Sequence, residues 1–285
     1  MSLLQITDLV AAFGARVDGL VPGTDLDDAS RASLRNAFDD RGLLLFRGID
    51  IDRPYQTCIA DLLIDYDRPV DDQLSKRDML VSNKEPGGYA PFGRLLFHSD
   101  MMWHEEPFQV LSLYGVRIVA PAAPTSFVST VRAWETLPDG LRAQVEGREA
   151  VHVTGQQDRG GDDGDLTAPI REKEASVTLP IAYPNPRTGR TMLYVSQMMT
   201  REIVGLPHDE SEALLEELFA HLYAPENTYV HEWREGDLVA WDNQSVQHAR
   251  SKVEQEGTER TLRKVISPIP VIAGKVETPT FSAAG

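Results

Sequence analysis

Asp237-Leu238-Val239-Ala240-Trp241-Asp242-Asn243-Gln244-Ser245-Val246-Gln247-His248 is an apolar run that halts at a polar turn and resumes before a histidine. Asp237 to Trp241 reads as a short strand, and Asp242-Asn243 as the start of its turn. Comparable runs recur to either side: Leu111 to Val119, Ala150 to Val153, Ser176 to Ile181, Thr191 to Val195 and Thr228 to Trp233. Turn residues such as Pro184-Asn185-Pro186-Arg187-Thr188-Gly189 lie between them. Many short strands with turn signals predict a sandwich or jelly roll, not a parallel α/β sheet.

Helices flank this β region. Asp27 to Asp40 carries Asp at its start, Leu34, Ala37 and Phe38 on one face, and Gly42 beyond its end. Asp52 could cap a second helix running to Tyr66, with Pro54 in the first turn and Ile59, Leu62 and Leu63 at helical spacing. Asp209 to Tyr223 is a third, with a stripe of Leu214, Leu215, Leu218 and Leu222. Phe13 to Val17 reads as an opening strand, and Leu43 to Phe46 as a strand buried on both faces. The fold class expected is mainly β with flanking helices.

The chain has 285 residues with no evident linker or repeat, so a single domain over 1–285 is expected. Gln156 to Lys173 opens with a polar stretch rich in glycine and aspartate, and is read as either a lid or a disordered excursion. No run approaches the roughly 20 apolar residues of a membrane helix. The first residues lack a basic n-region and a long apolar run, so no signal peptide is expected. Cys58 is the only cysteine, which excludes an internal disulfide and suits a cytoplasmic location. The formal charge is −16, which repels phosphate backbones and anionic lipid. Nucleic acid and membrane are therefore not expected as partners. A small anionic substrate would need a local cationic pocket. The plain reading of the charge is that it keeps the protein soluble.

His98-Ser99-Asp100, answered by His248 and then Arg260, suggests chemistry. Side chains at i and i+2 of a strand share a face, so His98 and Asp100 are expected to point into one interior. Two imidazoles and a carboxylate can hold one face of an octahedral ferrous ion and leave the other free, as in non-haem Fe(II) oxygenases. Arg260, 12 residues after His248, could bind the far carboxylate of 2-oxoglutarate. His-x-Asp alone is a common chance pattern. His104, His152, His208, His221 and His231 have no partner at a telling spacing and are read as structural.

Together these segments resemble the taurine and chlorophenoxyacetate dioxygenase family of Fe(II)/2-oxoglutarate enzymes. Phe13 to Leu20 resembles its opening strand, Arg41 to Gly48 its first core strand, and Phe97 to Asp100 its iron motif. Pro184 to Gly189 with Leu193-Tyr194-Val195, and Gly236 through His248, resemble the later turn and the distal histidine motif. The resemblance implies a double-stranded β-helix (jelly roll). It implies iron ligation by His98, Asp100 and His248, with 2-oxoglutarate on Arg260 and Thr125 and O2 as oxidant. One departure is visible: Ala122-Ala123-Pro124 replaces the family's Gly-Gly-Asp before that threonine.

If Arg260 to Ile266 is a strand, Arg260, Leu262, Lys264 and Ile266 share a face and Arg263 points away. Lys264 then matches a position where family members place a cation for an anionic substrate. Arg94, four residues before His98, shares its parity on a straight strand. Asn83, Tyr89 and Met102 are further candidate substrate residues. The expected activity is hydroxylation of an unactivated carbon of a small, anionic substrate, with release of succinate and CO2. Desaturation or C–heteroatom cleavage by the same oxidant is the alternative. Asp100 fills the site that related halogenases leave open, which argues against chlorination. A zinc hydrolase of the cupin type would give Arg260 and Thr125 no purpose, and a non-catalytic jelly-roll binding protein would not need an intact triad. A homo-oligomer is expected, because family members are often dimers or tetramers.

Overall fold

A computed structural model describes residues 4–10, 13–67, 79–154, 175–268, 271–272 and 275–276. The candidate lid at 156–173 lies outside the described residues.

The N-terminal third holds β1 (Gln5–Asp8), β2 (Ala15–Asp18), α1 (Asp28–Arg41), β3 (Leu43–Phe46), α2 (Arg53–Leu63) and β4 (Met79–Ser82). The middle holds β5 (Gly93–His98), β6 (Val110–Ile118), β7 (Thr125–Ser129), α3 (Thr130–Glu135), α4 (Asp139–Val145), β8 (Glu149–Val153), β9 (Ser176–Pro180), β10 (Ala182–Pro184), β11 (Thr191–Leu193) and β12 (Thr200–Ile203). The last part holds α5 (His208–Leu222), β13 (Thr228–His231), β14 (Leu238–Asp242), β15 (Val246–Val253), β16 (Arg260–Ser267), β17 (Val271–Ile272) and β18 (Lys275–Val276).

Two sheets carry the architecture. One orders its strands β1-β2-β3-β14-β6-β16-β4, and the other β13-β7-β15-β5. Between them lies a core of Leu43, Leu45, Leu111, Leu113, Phe127, Val239, Trp241, Val246, Leu262 and Ile266. Alternation explains how both faces of the larger sheet are covered. Leu44 and Phe46 of β3, and Leu238 and Ala240 of β14, point the other way and pack against Leu34 and Phe38 of α1 and Ile59 and Leu63 of α2. On the smaller sheet, Val128 packs outward with Leu214, Leu215 and Leu218 of α5. Each fully buried leucine or phenylalanine contributes about 1.5–3 kcal/mol. This is the jelly roll expected from the strand pattern. Among the described residues no helix is long and apolar enough to cross a membrane.

Local signals placed the helices. Asp27 caps α1 by accepting from the Ser30 N–H, and Gly42 ends it at φ 71°. A Cβ at Gly42 would also meet Val246 Cγ2 at 2.9 Å. Asp52 caps α2, but the helix stops at Leu63, not Tyr66, because Asp65 turns into the left-handed region at φ 53°. At Gly115 in β6, a Cβ would lie 2.4 Å from Arg234 O, so only glycine admits the connection between β13 and β14 so closely.

Candidate metal centre and carboxylate anchor

His98 ends β5 and His248 lies on β15, where the antiparallel register sets them directly opposite. Opposed residues on such a pair have Cβ atoms about 5 Å apart. Strand pairing alone therefore brings the imidazoles together, and their ring centroids are 4.2 Å apart. His98 Nδ1 lies 2.7 Å from Leu96 O. A carbonyl only accepts, so the proton sits on Nδ1 and the Nε2 lone pair is free. Nε2 is 3.3 Å from Asp100 Oδ1, and His248 Nε2 is 3.8 Å from the same oxygen. The His248 ring is held by packing against Trp241 and Phe127, at centroid distances of 4.9 and 6.5 Å. Its Nδ1 is buried with no hydrogen-bond partner among the described residues.

Asp100 reaches this centre differently from the sequence expectation. β5 stops at His98, so Asp100 occupies the following turn and not a second strand position. Asn243 holds it there. The Asn243 Oδ1 accepts the Asp100 N–H at 2.9 Å, and Nδ2 donates to Asp100 O at 2.9 Å and to Phe108 O at 3.1 Å. Burial pushes the Asp100 carboxyl up, but the Lys264 ammonium beside it holds it well below the usual range. Lys264 Nζ contacts Asp100 Oδ2, leaving Oδ1 to the histidines. Burial, followed by the His98 charge, keeps His248 well below the ordinary imidazole value, and hence neutral.

The donor set fits a small dication. Atoms bound about 2.1 Å from one ion at right angles sit roughly 3 Å apart. The donor atoms of His98, Asp100 and His248 lie within 4.8 Å of one another. A neutral His248 and an ionised Asp100 are also the protonation states that ligation requires.

Arg260 and Thr125 form a second built site. Arg260 is 3 % exposed and Thr125 2 %. Arg260 Nη2 donates to Thr125 Oγ1 at 3.0 Å, and Nε donates to Ala123 O at 2.9 Å. The departure at 122–124 therefore keeps a carbonyl for the arginine and leaves Thr125 in place. Trp233 Nε1 donates to the same Thr125 oxygen at 2.9 Å. Burial, then the Arg250 charge, lowers Arg260 to about 9. A buried cation so placed favours an anionic ligand. Arg250, which the sequence reading passed over, is 5 % exposed and donates to Phe92 O at 3.0 Å and Gly93 O at 2.8 Å. Burial lowers it to about 10. Its position two residues after His248 was the available signal.

Alternation along β16 holds at the cations. Arg260 meets Thr125 and Lys264 meets Asp100. Arg263 turns away to Gln56 Oε1 and Ile51 O, both at 2.8 Å. The other substrate candidates fare unequally. Met102 is fully buried among Leu96, Val131, Met192 and Tyr194, so it is core. Asn83 is a clamp: it donates to Thr258 O at 3.0 Å and accepts the Arg260 N–H at 3.0 Å. Arg94 lies beyond a register shift between β5 and β15, so the straight-strand count from His98 does not apply to it. Tyr89 sits between β4 and β5, its N–H donating to Leu80 O at 2.7 Å. Among the histidines read as structural, His152 pairs with Thr200 Oγ1 at 3.0 Å and His221 with Ala133 O at 2.9 Å.

Known proteins resemble this chain in sequence and fold. Residues 5–266 match the model of the family described as taurine catabolism dioxygenase TauD, TfdA family. Pentalenolactone F synthase of Streptomyces arenae is 26 % identical, covering 93 % of this chain and 95 % of its own. The alpha-ketoglutarate-dependent 2,4-dichlorophenoxyacetate dioxygenase of Burkholderia sp. (strain RASC) is 25 % identical, covering 88 % and 90 %. The crystal structure of a taurine dioxygenase from Burkholderia xenovorans superposes with a TM-score of 0.73 at 25 % identity, over 94 % of this chain and 92 % of that one. The chain belongs to the TauD/TfdA family and is a 2-oxoglutarate-dependent dioxygenase.

Proposed function

We propose that His98 Nε2, His248 Nε2 and Asp100 Oδ1 hold Fe(II), and that Arg260 and Thr125 bind the far carboxylate of 2-oxoglutarate. The observation that carries this reading is the convergence of three donor atoms within 4.8 Å, on the same β16 face as a buried arginine with a hydroxyl partner. Lys264 and Arg260 are four residues apart on that face, about 13 Å along a strand. Two long side chains and an extended five-carbon diacid fill such a span. When bound, the ferrous ion and 2-oxoglutarate supply the oxidising power for an unactivated carbon, with O2 consumed and succinate and CO2 released. The protein's part is to bind, orient and exclude water. Arg260 offers a planar fork that suits a bidentate carboxylate.

We assign the primary substrate to small anions. Lys264 supports this: its ammonium contacts Asp100 yet keeps 14 % of its side chain exposed, so it can turn to an incoming anion. The relatives named for phenoxyacetate and taurine chemistry point to the same class. Tyr89 and Arg94 are the other candidates for substrate contact. Hydroxylation is the favoured outcome, with desaturation or C–heteroatom cleavage set by how the substrate sits. We extend the reading to a cytoplasmic, homo-oligomeric enzyme acting as one domain, supported by the single free Cys58 and by composition.

Anaerobic addition of Fe(II) and 2-oxoglutarate tests the assignment. A weak visible charge-transfer band is expected; its absence would remove the cofactor reading. Screening sulfonates, aryloxy acids and N-substituted amino acids for succinate release identifies the substrate. Lys264→Met should then raise KM for it.

A further inference from the structure

The geometry points to Trp233 as a positioning residue that aims the Thr125 hydroxyl proton at the co-substrate carboxylate; this rests on Arg260 and Thr125 being the anchor proposed above. A threonine hydroxyl has one proton and two acceptor lone pairs. Two groups contact Thr125 Oγ1, and each can only donate: the Trp233 indole N–H at 2.9 Å and the Arg260 guanidinium at 3.0 Å. Both lone pairs are thereby used. The hydroxyl's own proton is left with the third staggered position, where it can only donate. Thr125 is thus converted from a group that could accept or donate into a fixed donor beside a buried guanidinium. A carboxylate accepts from both at once.

The indole is itself fixed. Trp233 is 5 % exposed and packs with Phe127, Trp241 and Leu262. It stands edge-on to His231, with centroids 4.5 Å apart and planes at 84°. The Arg260 Cζ lies 5.9 Å from its ring centroid, within cation–π range. One side chain therefore contacts both halves of the anchor: its face approaches the guanidinium, and its N–H occupies the hydroxyl. Without the N–H the threonine proton could turn to the vacated side and the aimed donor would be lost.

The test compares wild type with Trp233→Phe, which keeps the ring and removes the donor. With anaerobic Fe(II) enzyme, titration of 2-oxoglutarate by the charge-transfer band should show about tenfold weaker binding in the variant. 2-Oxopentanoate, which keeps the chelating head and lacks the far carboxylate, should bind both proteins equally, within about twofold. Fe(II) affinity should also be equal. Should Trp233→Phe fold poorly, benzothienylalanine incorporated at 233 replaces N–H with sulfur at nearly constant shape and should give the same pattern. Equal 2-oxoglutarate affinity in both proteins would overturn the inference, as would an equal loss for 2-oxopentanoate, which marks general packing damage. A wild-type enzyme that gives no band overturns the anchor assignment itself, a failure visible before any variant is compared.

Discussion

Two buried clusters in this chain contain the same kinds of group and differ in use. In one, His98 and His248 face Asp100, and Lys264 contacts its outer oxygen. In the other, His231 faces Asp237 at 3.3 Å, and Arg47 binds that carboxylate at 2.6 Å. The difference lies in how many donors converge. At the second cluster, Tyr229 OH occupies His231 Nδ1 at 3.0 Å, and the Arg234 N–H and Arg47 both take Asp237 Oδ2. Asp237 Oδ2 thus takes two donors, and only one imidazole is present. At the first, the Nε2 atoms of two imidazoles and one carboxylate oxygen point into a common space. The proposed metal centre is set apart by three donor atoms converging within 4.8 Å, not by the kinds of residue it contains.

This contrast can be broken in order of expected effect. His248→Ala should abolish the chelate band and reduce succinate formation by at least about 10³-fold, consistent with loss of a metal ligand. Its metal-free urea midpoint should move little by comparison. Asp237→Asn should do the reverse. Fe(II) and 2-oxoglutarate affinities should stay within about twofold, while breaking a buried ion pair costs about 3 kcal/mol of stability in urea unfolding. Loss of metal binding in Asp237→Asn would erase the distinction. Asn243→Ala should weaken Fe(II) about tenfold or more, because it frees the turn that carries Asp100.

The last effect, absent near neutral pH, concerns a histidine outside both clusters. Burial lowers His152 to about 3 from the ordinary imidazole value of 6.5. Below pH 6.5 the unfolded chain takes up a proton that the folded chain refuses, so stability falls with acid until about pH 3. The slope is about 1.4 kcal/mol per pH unit. His152→Phe should flatten that part of the acid-unfolding profile; an unchanged slope would mean that other groups dominate it.

Much of the scaffold was legible because its signals are local. Asp27 and Gly42 bracket α1 within one segment, and the Leu43–Phe46 run declares a strand covered on both faces. The triad was legible through the family pattern. Less accessible were residues whose roles depend on distant partners. Asn243 holds Asp100 across 143 positions, and Trp233 meets Thr125 across 108. Neither pairing leaves a trace in spacing. Asp100 was misplaced on a strand because i, i+2 alternation assumes that the strand continues, and here a remote amide replaces it with a turn. Met102, a candidate for pocket lining or for packing, lies in the core, because proximity to the motif says nothing about which way a side chain faces.

Gly115 has an effect far from its own strand. Its carbonyl and N–H hold the 236–237 backbone at 2.9 and 2.8 Å, and its missing Cβ lets Arg234 O come close. Arg234 follows the indole-bearing residue directly. One added methyl on the larger sheet would push that backbone outward by a sizeable fraction of an ångström and carry the tryptophan with it. A hydrogen atom at position 115 thereby gauges how deeply a diacid can seat in the opposite wall.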